Sequence, residues 1–140
     1  MQTFMVSPLF MKTAGCLDRQ RLGKQRVEVK QILNALEGRT KGWVNHPAVK
    51  MWRGYEAALC AYGIHMCSEW RDRGYKDSLL PEFVSMWDTE YHSGFELPPW
   101  YKDERVHLSH QSNLIRKDPA HYGPLFPGVP DNLPYYWPVK

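Results

Sequence analysis

Asp18-Arg19-Gln20-Arg21-Leu22-Gly23-Lys24-Gln25-Arg26-Val27-Glu28-Val29-Lys30-Gln31-Ile32-Leu33 sets five cations around one mid-helix carboxylate. On a helical wheel at roughly 100° per residue, Leu22, Val29, Ile32, Leu33 and Leu36 fall on one apolar stripe, the face that a helix turns toward a core. The polar side divides in two. Arg19, Arg26 and Lys30 lie together on one flank, in the manner of phosphate clamps, while Arg21, Lys24 and Glu28 lie together on the other, in the manner of a site. Lys24 and Glu28 also have the i,i+4 spacing of an ordinary surface ion pair, which contributes little. The charge around them argues for more: residues 1–50 hold nine Lys and Arg against three Asp and Glu. A basic face is the electrostatic footprint of a nucleic-acid binder.

The whole chain is only mildly basic, with a net charge of +3 over 140 residues, so partner identity rests on where the charges sit. This length suits one domain, 1–140, with a real core. It has no run of about 18 apolar residues, and its first residues are too short and uncharged a stretch for a signal peptide. A soluble cytoplasmic protein without a membrane partner is expected, as a monomer. Cys16, Cys60 and Cys67 are odd in number and lack ligand spacing, so neither a disulfide framework nor a zinc site is favoured. Cys60 and Cys67, seven apart, fit one buried helix face as reduced thiols. No glycine-rich phosphate loop and no nucleophile elbow occurs. Chemistry without metal or cofactor is the expectation.

The periodicity predicts an all-α fold, a compact bundle of about four helices. After a short extended start the first runs from about 13 to 36 and stops near Gly38. Asn45 or His46 caps the second, with Pro47 in its first turn. That helix carries Trp52, Tyr55, Leu59, Tyr62, Met66 and Trp70 at helical spacing to about residue 73, with Gly54 and Gly63 as points of bending. The third covers about 81–92 before Gly94, and the fourth about 103–117, ended by Asp118-Pro119. Beyond it Pro124, Pro127, Pro130, Pro134 and Pro138 interleave with Phe126, Tyr135, Tyr136 and Trp137, which suits an extended strap along the surface.

Two further groups carry chemistry. In the fourth helix Val106, His110, Asn113 and Lys117 share a stripe with Arg116 nearby. Lys117 and Arg116 would meet phosphate, with Asn113 and His110 reaching sugar or base edges; the alternative is that His110 and Asn113 bond neighbouring backbone. In the strap, Tyr135, Tyr136 and Trp137 offer flat surfaces for a base that leaves the stack, or simply close a small core. His46 suits a cap better than a catalyst, and Trp52 and Trp70 suit core positions.

Together these residues resemble the pyrimidine-dimer DNA glycosylase family, also called the endonuclease V type, in its uncharacterised bacterial and phage branch. The resemblance is carried over roughly residues 1–120 by four features. These are the basic first helix with Lys24, Glu28 and Gln31, the His46-Pro47 helix start followed by Trp52, the Cys67-Ser68-Glu69-Trp70-Arg71-Asp72-Arg73-Gly74-Tyr75 helix end, and the polar stretch Ser109 to Lys117. It implies a compact helical protein that acts on double-stranded DNA with a damaged or modified pyrimidine. The implied reaction is cleavage of an N-glycosidic bond, with abasic-site cleavage as an extension. In characterised members the α-amino group of the mature chain attacks the sugar C1′ and a first-helix glutamate is general base and electrostatic stabiliser. Aligned through Lys24 and Gln31, Glu28 is that glutamate, with Arg21 and Lys24 supplying counter-charge; an ungapped alignment puts Gly23 there, and Asp18 is a second choice. Gln2 is too large for ready removal of the initiator methionine. The Met1 amine would then be the nucleophile, one residue out of the family's register, and hydrolysis with Glu28 activating water is equally compatible. A non-catalytic nucleic-acid-binding module and a nucleoside- or nucleotide-processing hydrolase or transferase are the alternative readings.

Overall fold

The stripe on residues 22–36 is the side of a helix that packs inward: Leu22, Val29, Ile32 and Leu33 are fully buried. The computed structural model describes residues 1–91 and 95–139, and among these residues it is all-helical, with no strand. The helices are α1 (Phe10–Cys16), α2 (Arg19–Leu36), α3 (Pro47–Lys50), α4 (Glu56–Asp72), α5 (Leu80–Glu90), α6 (Glu104–Lys117) and α7 (Pro119–Tyr122). Helix α2 packs on α4, α4 on α1 and α5, and α6 on α7. Where α4 faces α2, a Cβ on Gly63 would sit 2.8 Å from Val29 Cγ1, so only glycine allows this spacing.

Seven helices replace the expected four, because two long periodic runs are each interrupted. The first breaks at Leu17–Asp18, where Asp18 is extended and its backbone N–H donates to the Tyr122 hydroxyl at 2.9 Å. The second breaks at Gly54, whose φ of +87° suits glycine alone. Gly63 lies inside an unbroken α4. The third helix starts one residue earlier than expected, and the predicted end at His92 and stop at Gly94 lie outside the described residues. α7 is an addition, begun by Pro119 and capped by the Asp118 carboxylate.

Residues 124–139 contain no helix and no strand. α6 holds this tail by its backbone: Ser112 Oγ accepts from Leu133 N–H at 3.0 Å, and Asn113 Nδ2 donates to Leu133 O at 3.1 Å. Tyr135, Tyr136 and Trp137 are half-buried against the helices. Cys16, Cys60 and Cys67 carry free thiols; burial raises all three, Cys60 to about 12, which makes them poor nucleophiles. No described helix is long and apolar enough to cross a membrane.

Candidate active site

Residues 2–6 are buried yet not helical, so their backbone polar groups need partners that no sheet supplies. Side chains from three helices provide them. Gln25 on α2 accepts from Phe4 N–H at 3.0 Å through Oε1 and donates to Gln2 O at 3.0 Å through Nε2. Tyr62 on α4 donates to Phe4 O at 2.6 Å. On α6, His110 Nδ1 accepts from Met5 N–H at 2.8 Å, His107 Nδ1 meets Met5 O at 2.7 Å, and Gln111 donates to Val6 O at 2.9 Å. The Thr3 hydroxyl accepts from the Trp52 indole at 2.9 Å. The start of the chain is thereby fixed.

That fixed segment ends at a carboxylate. Glu28 is 6% exposed, and its Oε2 accepts from Gln2 N–H at 3.2 Å and from Gln25 Nε2 at 3.2 Å. Oε1 lies 3.9 Å from Lys24 Nζ, whose own side chain is 71% exposed. A cavity of about 280 Å³ opens beside this group, walled by Met1, Gln2, Gln25 and Glu28, rimmed by Arg21, Lys24 and Lys117, and faced by Tyr135. Residues from both ends of the sequence meet here. Three cations border a mouth whose buried wall carries a carboxylate. Gln2 Nε2 is buried without a hydrogen-bond partner.

The other predicted residues divide by place. Asp18 is absent from this cavity; it bonds Arg21 at 3.3 Å and accepts from Tyr122. Burial alone would raise its carboxyl, but the bonds from Tyr122 and Arg21 outweigh it and hold it below the usual range. Arg19 is exposed, 5.2 Å over the Tyr75 ring.

Four of the expected DNA contacts have partners within the fold. Arg26 is largely buried, paired with Asp77 and lying 4.4 Å over the Trp70 ring. Lys30 pairs with Glu82; both cations tie α2 to the start of α5. His110 is fully buried and bonded to Met5, so no base edge reaches it. Its acceptor Nδ1 leaves the proton on Nε2, and burial, with the charge of His107, lowers it to about 3. Asn113 is buried and bonds Ser109 O at 2.7 Å as well as the tail.

Arg116 is exposed and donates to Asp131 O at 2.9 Å; Lys117 stays at the cavity rim. His46 Nδ1 accepts from Ala48 N–H at 3.0 Å, the cap the sequence favours over catalysis. Its imidazole is lowered by burial and then by the positive N-terminus. Tyr136 lies under the Arg105 guanidinium at 4.4 Å, and Trp137 packs edge-to-face on His46 at 5.8 Å. Trp52 is core; Trp70 is half-buried.

The sequence reading missed Gln25 and Tyr62. Gln25 had a signal: with Leu22 and Val29 it keeps i, i+3, i+7 spacing, so it is a polar residue at a core position. Among the described residues no cluster of three His, Cys, Asp or Glu is arranged for a metal.

None of the curated proteins and none of the solved structures matches the chain. A family match exists over residues 1–81, described as pyrimidine dimer DNA glycosylase. It spans the buried N-terminal segment, all of α2 with Glu28, and the α4 helix that supports them; it stops short of the polar stretch in α6, which the resemblance had included. Matching more than half of its length, the chain belongs to the pyrimidine dimer DNA glycosylase family.

Proposed function

We propose that this protein is a DNA N-glycosylase that excises a damaged or modified pyrimidine at the cavity beside Glu28, a dimerised pyrimidine being the first candidate. The observation that carries the reading is the meeting of a buried carboxylate, the first two residues of the chain and three cations around one cavity. Cleavage of the glycosidic bond puts positive charge on the sugar at C1′, and a buried carboxylate stabilises it in proportion to the water excluded. Arg21, Lys24 and Lys117 would hold the phosphates that flank the extruded nucleotide. Tyr135 would lie against the base or sugar.

Two nucleophiles fit this frame. In the first, the Met1 amine bonds to C1′, the base leaves, and opening of the C1′–O4′ bond gives an imine, from which strand cleavage follows. In the second, Glu28 takes a proton from water as the water oxygen bonds to C1′, and the base leaves with a proton. The carboxylate touches the nitrogen of residue 2, one position beyond Met1. A chain lacking Met1 would therefore carry its amine directly on Glu28.

Borohydride trapping on a duplex with a cyclobutane pyrimidine dimer, joined to mass spectrometry of the N-terminal peptide, separates these routes. An adduct on the first residue is expected for imine chemistry. Glycosidic cleavage without an adduct, read as base freed when the cyclobutane ring is photoreversed, would assign the nucleophile to water. Binding without base release from a panel of damaged and modified pyrimidines would make the protein a non-catalytic binding module and overturn the reading.

A further inference from the structure

Trp43 belongs to no part of the site described above, and it is the exposed one among the six tryptophans, at 53%. Water-exposed indole is costly, by roughly 25 cal/mol for each Å² left uncovered, so an exposed tryptophan on a defined turn asks for a partner. The turn is defined: His46 N–H donates to Trp43 O at 3.0 Å, and Arg53 donates to Val44 O at 2.9 Å.

Charge says what the partner is. Residues 38–55 contain Arg39, Lys41, Lys50 and Arg53 and no Asp or Glu. Lys41 and Lys50 are exposed; Arg39 reaches back to Glu37 at 3.1 Å. A flat apolar ring among cations is complementary to a nucleic-acid strand, which presents flat bases between phosphates.

The turn is also continuous with the cavity. Trp43 meets His46 edge-to-face at 5.7 Å, His46 meets Trp137 at 5.8 Å, and Trp137 meets Tyr135, which faces the cavity, at 5.6 Å. Three aromatic contacts separate Trp43 from Tyr135 at the cavity.

We propose that Trp43 is a stacking platform for a nucleobase of DNA next to the excised nucleotide, steadied by phosphate contacts from Lys41 and Lys50. The proposal rests on the glycosylase reading and adds a second binding surface to it. When one nucleotide leaves the helix its neighbours lose a stacking face; the indole would replace it and keep the distorted duplex on the protein.

The test uses the full chain and a duplex carrying a cyclobutane dimer, with 5-iododeoxyuridine placed in turn at each position flanking the dimer and opposite it. On irradiation one probe position should give a cross-link that peptide mapping assigns to Trp43. Trp43→Ala should abolish that adduct and weaken affinity about tenfold or more. The salt slope should stay unchanged, because the phosphate contacts remain, and Trp43→Tyr should retain most of the affinity. An unchanged melting temperature will show that the exposed residue was not holding the fold. If the parent binds and excises while no probe reaches Trp43 and Trp43→Ala binds equally well, the platform is overturned and the glycosylase reading stands. If the parent binds neither this duplex nor duplexes carrying other damaged or modified pyrimidines, both fall.

Discussion

Gln25 and Glu28, one turn apart and both buried, divide two tasks. Gln25 has both ends of its amide satisfied by the chain's first residues and by Tyr62, which is what a structural residue does. Glu28 bonds Gln2 and Gln25 through one oxygen and turns the other toward Lys24 and the cavity, which leaves it capacity for a ligand. His110 belongs with Gln25. Its folded value near 3 against an ordinary 6.5 means that, between those pH values, the unfolded chain binds a proton that the folded chain does not. Stability from this group is therefore full above pH 6.5 and is lost as pH falls through that window, by about 1.4 kcal/mol per pH unit. His46 and His65 are lowered in the same direction, so a variant isolates the contribution. His110→Gln, which keeps an acceptor for Met5, should lose about 2 kcal/mol less than the parent between pH 7 and pH 5 in urea unfolding. Equal losses in the two proteins would contradict the burial argument.

At the scale of elements, α2 does two things with opposite flanks. The flank with Arg26 and Lys30 is structural, and the flank with Arg21, Lys24 and Glu28 borders the cavity. Asp77 shows why: its carboxylate is fully buried, receives Arg26 and Arg71, and accepts Leu80 N–H at 2.7 Å, so one group joins α2, α4 and α5. Burial would raise this acid, but those bonds keep it below the usual range. Arg26→Ala should destabilise the fold by about 2 kcal/mol by removing one of the two guanidiniums that compensate a buried carboxylate, while the salt slope of DNA binding stays as it was. A slope flatter by about one counterion would restore Arg26 as a phosphate clamp. Helical spacing made the apolar stripe, the two flanks and the Pro47 start legible in the sequence. It could not show that Arg26 and Lys30 are engaged, because their partners lie 51 and 52 residues away. The same periodicity hid both helix breaks, since Asp18 and Gly54 each interrupt a run whose apolar pattern continues across them. His110 and Asn113 stayed ambiguous in the sequence for a related reason. A polar residue on a helix stripe looks like a surface reader unless one knows that an extended segment or a tail is packed there in need of hydrogen bonds.

Across the whole molecule the cavity is a long-range construction. Met1, Gln2 and α2 supply its wall, Lys117 at the end of α6 supplies rim charge, and Tyr135 comes from a tail that α6 pins through Leu133. The family match ends at residue 81, so the first wall lies inside the matched region and the rest beyond it. The sequence pointed to Glu28, Arg21, Lys24, Met1 and Lys117, and the fold draws these five together. The proposed function stands or falls with the Glu28 carboxylate driving base release. The most direct measurement is the free base that photoreversal liberates after reaction with a dimer-containing duplex, since the cyclobutane ring otherwise tethers the cleaved base to its neighbour, by parent and by Glu28→Gln under single-turnover conditions with binding followed in parallel. Glutamine keeps an acceptor for Gln2 N–H but removes the charge opposite the sugar cation. Release should fall by about 100-fold or more, roughly 3 kcal/mol of transition-state stabilisation, with DNA affinity retained. Full activity in Glu28→Gln, above all with activity lost in Asp18→Asn, would contradict the account and move the chemistry to the other end of α2.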